Sequence, residues 1–131
     1  MAALAEVLAV NALAPLRLVQ LARPVLVGAA CVVNVSSDAG VEAYPGWGAY
    51  GASKAALDHL SRTLATEEPD LRVYAVDPGD MRTAMHQGAF PGEDISDRPD
   101  PSVPVPALVA LLEGERPSGR YRAEDLLAAA A

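Results

Sequence analysis

Residues 32–57 read VVNVSSDAGVEAYPGWGAYGASKAAL: a β-branched run that stops at two serines, a turn-rich passage, and a lysine-bearing segment of small and apolar residues. The run Cys31 to Val35 is short, apolar on both faces and closed by Ser36 and Ser37, which predicts a strand covered on both sides, as parallel strands are. Gly40, Pro45, Gly46 and Gly48 fill the passage that follows. From Ala49 to Glu68 the residues Ala52, Ala56, Leu57, Leu60, Leu64 and Ala65 recur at helical period until Pro69 ends the pattern. Leu71 to Val76, stopped by Asp77-Pro78-Gly79, supplies a second strand.

On the N-terminal side, Leu4, Val7, Leu8, Leu13, Leu16, Leu18 and Val19 predict a helix over 3–22 whose apolar positions cover more than one face, as in a buried or interface helix. The order helix, strand, helix, strand belongs to an α/β sheet with crossover helices. Beyond Gly79 the periodicity weakens. Five of the eleven prolines lie between Pro91 and Pro106, among Glu93, Asp94, Asp97 and Asp100, so this stretch reads as an irregular solvated loop rather than a second domain. Val105 to Leu112 resumes a helical pattern, Gly119 to Arg122 fits a brief edge strand, and the Ala-rich tail reads as a frayed helix. One domain spans 1–131: a helix at 3–22, a strand-loop-helix unit at 30–68, a strand and turn at 71–83, a Pro-rich loop at 84–106, and a helix with tail at 107–131.

The chain has 131 residues, 51% hydrophobic and 21% charged, with 10 basic residues against 17 acidic ones and a single cysteine, Cys31. That apolar share suffices for one core. One cysteine excludes an intrachain disulfide framework, and Cys31, His59 and His86 show no zinc-ligand spacing, so no metal site is expected. A net charge of −7 with scattered arginines speaks against nucleic acid, whose phosphates demand clustered cations. The apolar opening segment carries Glu6 before any basic residue and is interrupted by Asn11, Pro15, Arg17 and Arg23, so it reads as structure rather than an export leader or a membrane span. A soluble, cytoplasmic protein is expected. Nine of the ten basic residues are arginine, leaving Lys54 as the only lysine.

Tyr50 and Lys54, four residues apart near a helix start, lie one turn apart on one face. An ammonium and a positive helix N-terminus beside a phenol favour the phenolate, which would make an acid or base usable near neutral pH. Ser36 and Ser37 stand at the carboxyl end of a strand, where open α/β sheets bind ligands.

Taken together, the strand, its serines, the loop, the YGASK stretch and the Ala-rich helix resemble the short-chain dehydrogenase/reductase family, with Ser37 thirteen positions before Tyr50 as in that family's active site. The resemblance implies that Tyr50 is the acid/base, that Ser37 orients the substrate oxygen, and that Lys54 lowers the tyrosine pKa and binds the nicotinamide ribose. VNALAPLRLVQ resembles the family helix that carries a fourth catalytic residue, here Asn11, whose main chain helps hold a water beside the lysine. Independently of the resemblance, Pro15 has no N–H and its ring crowds the carbonyl of Asn11, leaving that oxygen free. DPGDMRT resembles the family's cofactor-side turn, with Thr83 matching the hydroxyl that meets the nicotinamide carboxamide and Met81 the residue beside it. Pro78 and Gly79 form that turn, so Tyr50, Lys54, Pro78, Gly79, Met81 and Thr83 are the expected cofactor contacts.

The resemblance covers nearly all of this chain but about half of the family fold, a truncated Rossmann-like, doubly wound sheet. The Gly-rich turn after the first strand, the residue that chooses NAD or NADP, and the Asn-Asn-Ala-Gly segment have no counterpart here. GWGAYG at 46–51 spells the dinucleotide fingerprint, but it follows a loop with Pro45 instead of a strand, so its glycines are wrongly placed to seat a pyrophosphate. Three readings stay open. The chain is part of an oxidoreductase acting on an alcohol or carbonyl, with NAD or NADP gripped by a missing or partner-supplied half and none bound by this chain alone. Alternatively it reuses Ser37, Tyr50 and Lys54 for cofactor-independent isomerisation, dehydration or cyclisation. A third reading is a non-catalytic relic serving assembly. In each, the apolar strand edge left uncovered calls for a second copy or a partner chain. Tyr44, Trp47, Met85, His86 and Phe90 are candidates to line a pocket beneath the Pro-rich loop.

Overall fold

A computed structural model describes residues 1–28 and 30–131. Three parallel strands, β1 (Cys31–Val35), β2 (Arg72–Asp77) and β3 (Gly119–Arg122), form one sheet in the order β1-β2-β3. Helix α3 (Gly48–Glu67) crosses from β1 to β2, and α5 (Val105–Glu113) lies between β2 and β3 in the chain. This is the α/β arrangement that the periodicities predict and the Rossmann-like one that the resemblance implies.

The central strand explains the layering. Val73, Tyr74, Ala75, Val76 and Asp77 of β2 are all buried, and alternate side chains point to opposite faces of a sheet. Tyr74 and Val76 pack with Ala107 and Leu111 of α5 and with Ala123 and Leu126 of α6 (Ala123–Ala130). Val73, Ala75 and Asp77 therefore face the other layer, where α3 buries Ser53, Leu57, Asp58 and Ser61. Asn34 of β1 reaches that layer too, donating from Nδ2 to Ser61 Oγ at 2.9 Å. The α5 layer is fastened by Arg72, whose guanidinium donates to the carbonyls of Leu111, Leu112 and Gly114, the unsatisfied acceptors of a helix C-terminus.

Three local differences from the sequence reading have physical causes. The helix expected over 3–22 is broken into α1 (Ala2–Leu8), a π-helical turn (Ala9–Leu13) and α2 (Ala14–Ala22). The Ala14 N–H bonds Ala9 O instead of its α-helical partner, and Pro15 has no N–H to give Asn11, so the wide turn sits at the residue singled out by motif. Second, the stretch read as irregular from 84 onward begins with a short helix, α4 (Ala84–Ala89), started by Thr83, whose hydroxyl accepts from the His86 N–H at 3.1 Å. Third, the Ala-rich tail is a docked helix, because Ala123 and Leu126 are buried against the α5 layer. The rest of the Pro-rich segment is held by carboxylate turns, Asp94 to the Ser96 N–H and Asp100 to the Ser102 N–H, and by the Arg82 N–H on Pro99 O.

Ala2–Val25 is long and apolar enough to cross a membrane by length and composition, with a mean hydropathy of 1.6. Its placement is against α3: Ala12 is 2% exposed and Asn11 bonds to Ser53 of that helix.

Candidate active site

The approach of the post-β1 loop to α3 depends on two missing side chains. A Cβ on Gly51 would lie 2.7 Å from the Ala39 carbonyl oxygen, and one on Gly40 would lie 3.1 Å from the Lys54 carbonyl carbon. Both glycines let the 3-10 turn Asp38–Gly40 lie directly on the first turns of α3. Ser37 starts that turn, accepting the Ala39 N–H on its hydroxyl at 3.2 Å. Tyr50 stands in the first turns of α3, half-buried, near the Ser37 hydroxyl, which itself donates to Asp38 Oδ1 at 3.0 Å. Lys54, one turn on, donates from Nζ to Val35 O at 2.8 Å and sits 5.7 Å above the Tyr50 ring.

Asn11 joins this group through Ser53. Its Nδ2 donates to Ser53 Oγ at 3.0 Å, and Ser53 Oγ donates to the Tyr50 carbonyl at 2.7 Å. The four residues expected at the site thus assemble at the carboxyl end of β1. Because β1 and β2 are parallel, the Pro78-Gly79 turn after β2 lies along the same edge. Gly79 has φ +77° and donates its N–H to Asp77 Oδ1 at 3.0 Å. Met81 and Thr83 follow on the same segment, both half-buried, with the Thr83 hydroxyl engaged as the cap of α4.

The electrostatics differ from the expected picture. Burial pushes the Tyr50 phenol above its ordinary value; the neighbouring Ser37 hydroxyl pulls it back, and the negative charges of Asp38 and Asp77 push it further up. Lys54 is itself lowered by burial, with Asp58 opposing. Burial, not the lysine, sets the direction of the tyrosine's shift here, while Lys54 donates to the Val35 carbonyl. Asp38 is kept below the usual carboxylate range: burial raises it, but hydrogen bonds from Tyr44, Ser37 and Ala39 and the charge of Arg120 outweigh burial.

Beside Tyr50 is an aromatic wall. Trp47 meets Tyr50 edge-on at 5.6 Å, Phe90 lies 5.6 Å from Trp47, and His86 lies 4.8 Å from Phe90. Tyr44 packs on Trp47 at 6.2 Å while donating to Asp38 Oδ2 at 2.7 Å, a bond that pushes its own pKa up to about 12. Met85 remains 71% exposed and does not join the wall. An open groove of about 480 Å³ runs along β1 on the other side of Lys54, lined by Val10, Asn11, Leu18, Val32 and Val35 among others.

A family model described as short chain dehydrogenase matches residues 1–94. The chain belongs to that family. Among its short-chain dehydrogenase relatives, the uncharacterized oxidoreductase YciK of Escherichia coli K12 is 37% identical over 110 residues, covering 82% of this chain and 44% of the relative. A benzil reductase ((S)-benzoin forming) of Saccharomyces cerevisiae is 45% identical over 83 residues, covering 60% of this chain and 32% of that protein. In three dimensions, a short chain dehydrogenase of Shigella flexneri 2a complexed with NADP superposes with a TM-score of 0.83 at 34% identity, over 89% of this chain and 52% of that one. The chain therefore spans about half the length of the short-chain dehydrogenases it matches.

Sequence reasoning overlooked four charged residues around the site: Asp38, Asp58, Asp77 and Arg120. Asp58 follows Lys54 by four residues on one helix face, a spacing that does signal contact. Nothing in sequence links Arg120 to Ser37, 83 positions away.

Proposed function

We propose that this chain carries the catalytic half of an oxidoreductase that interconverts an alcohol and a carbonyl compound, with Tyr50 as acid/base. The observation that carries this reading is that Ser37, Tyr50 and Lys54 meet at the carboxyl end of β1, with the Lys54 ammonium moored to Val35 O and 5.7 Å over the Tyr50 ring. A raised phenol pKa keeps Tyr50 protonated at neutral pH, the form needed to give a proton to a carbonyl oxygen as it becomes a hydroxyl. Ser37 would hold that oxygen. Asn11 would act through its main-chain carbonyl, which lacks the Pro15 N–H as donor, on a water beside Lys54.

NAD or NADP fits one end of the site. The Lys54 ammonium, the Tyr50 phenol and the Pro78-Gly79 turn with Met81 and Thr83 share one sheet edge and suit the ribose and carboxamide of a nicotinamide. For the adenosine and pyrophosphate, the described residues offer no glycine turn running directly from a strand into a helix. When bound, the nicotinamide supplies or accepts the hydride. A second half, from a longer polypeptide or a partner chain, would complete that grip and cover the open edge of β1; a second copy of this chain would cover apolar Leu13, Leu18 and Leu21, each about three-fifths exposed or more. The aromatic wall beside Tyr50 suits a small apolar carbonyl substrate, and the setting proposed is cytoplasmic, away from membrane and nucleic acid.

A second reading has one observation in its favour: the acid/base residues are together in a chain whose dinucleotide grip is incomplete. Ser37, Tyr50 and Lys54 would then serve cofactor-independent proton transfer, as in an isomerase, dehydratase or cyclase. One experiment separates the two. NADPH is titrated into the chain, alone and mixed with the N-terminal half of a related reductase, while Trp47 fluorescence, melting temperature and carbonyl reduction are followed. Quenching, stabilisation of about 2.7 kcal/mol at 100 times the dissociation constant, and turnover abolished by Tyr50→Phe are expected in the mixture. Turnover that survives Tyr50→Phe overturns the acid/base assignment. Neither binding nor reduction in the mixture, with proton exchange on a carbonyl compound retained, favours the second reading.

A further inference from the structure

We infer that Arg120 is a positioning residue that fastens Ser37 to the catalytic helix and to the turn after β2 through a single guanidinium. Arg120 lies on β3, in register with Ala75 of β2, and the small Ala75 side chain leaves it room to reach across the central strand. Its Nη2 donates to the main-chain carbonyl of Ser37 at 3.0 Å. Its Nε donates to Asp58 Oδ2 at 3.0 Å, and Nη2 lies 3.6 Å from Asp77 Oδ2. Asp58 and Asp77 are 7% and 6% exposed, so this is a network withdrawn from water.

Each partner belongs to a different piece of the site. The Ser37 carbonyl also accepts the Gly40 N–H at 3.1 Å, which closes the 3-10 turn. Asp77 accepts the Gly79 N–H and so holds the turn after β2. Asp58 is one turn beyond Lys54 on α3. An arginine can serve all three because its planar fork presents five donors in fixed directions, whereas a lysine offers three from one nitrogen. Two carboxylates this buried also need a cation nearby, since unpaired charges in low dielectric are costly. The bond to Ser37 O is different in kind. Pairing Arg120 with Asp58 and Asp77 does not require it, and it acts on the backbone that carries the Ser37 hydroxyl.

This inference rests on the proposed roles of Ser37 and Tyr50, and its test is arranged to stand without them. Amide hydrogen exchange of the full chain is compared for the parent, Arg120→Gln, Arg120→Lys, and the charge-balanced Arg120→Gln/Asp58→Asn/Asp77→Asn variant, with global stability from urea unfolding. Exchange at Ala39 and Gly40 should accelerate about tenfold or more in Arg120→Gln beyond any change in the buried amides of β2, the size expected for one lost charge-assisted hydrogen bond. The charge-balanced variant should recover global stability but not protection at Ala39 and Gly40; it also carries the test if Arg120→Gln fails to fold. Arg120→Lys should fall between. Equal loss at the loop and at β2, or full recovery of loop protection in the charge-balanced variant, overturns the inference. Where turnover is measurable, kcat should fall with KM nearly unchanged. Local loosening without any turnover in the parent mixed with the N-terminal half of a related reductase would sink the functional reading while leaving the positioning role intact.

Discussion

Lys54 Nζ donates to the carbonyl of Val35 at 2.8 Å, so the only lysine of the chain is moored to the end of the strand that carries Ser37. Its ammonium hangs 5.7 Å over the Tyr50 ring. In this arrangement burial outweighs attraction on both groups: the phenol rises and the ammonium falls. A ligand that drew Lys54 off Val35 would change that balance.

The Tyr50 phenol should therefore titrate above the ordinary tyrosine value of about 10 in the isolated chain. Its folded pKa is raised, so the stability tied to it is complete below the unfolded value and is lost as pH rises through the folded one. Ring-carbon NMR titration, assigned with Tyr50→Phe, reads the midpoint. Ser37→Ala should move it further up by removing a hydroxyl that favours the phenolate, and Asp38→Asn should move it down by removing a negative charge. A midpoint at or below the ordinary value contradicts this description of the site.

Gly51→Ala should destabilise the fold by about 1–3 kcal/mol, the usual cost of overpacking, because the new Cβ meets the Ala39 carbonyl oxygen at 2.7 Å. Urea unfolding measures it. Gly48→Ala is the control, having nothing within 4 Å of its Cβ position, and should be neutral or mildly stabilising.

Asn11→Ala should cost about 1–2 kcal/mol, since Ser53 is 0% exposed and would lose its donor. Double-mutant analysis with Ser53→Ala should show strong coupling between the two positions. Additive losses would mean that the bond contributes nothing of its own.

At micromolar concentration the chain should sediment as more than a 13.6 kDa monomer. Among the described strands β1 pairs only with β2, and Val10, Leu13, Leu18 and Leu21 lie exposed on the helix beside it. Sedimentation across a dilution series decides the matter. A monodisperse monomer would show that the open edge needs no cover.

Periodicity and turn chemistry were sufficient to place β1, α3, β2 and α5, because each carries an apolar run bounded by Gly, Pro or Ser, while β3 was placed only as a brief stretch after the break at Gly114 and Pro117. Short helix α4 escaped because its only signal is Thr83 capping the His86 N–H, and six residues contain too few turns to display a period. The site divides in the same way. Tyr50 and Lys54 are joined by helical spacing, and Ser37 by its place at a strand end, so all three are visible in a local stretch of chain.

Sequence by itself determined where Ser37, Tyr50 and Lys54 lie and which strand and helix present them, because those relations span at most a few turns of backbone. Tertiary structure alone decided their setting. Burial raises the Tyr50 phenol, Val35 claims the Lys54 ammonium, and Arg120 ties the Ser37 backbone to Asp58 and Asp77. Desolvation and charge pairing depend on distances through space between residues up to 83 positions apart, and no local pattern encodes them.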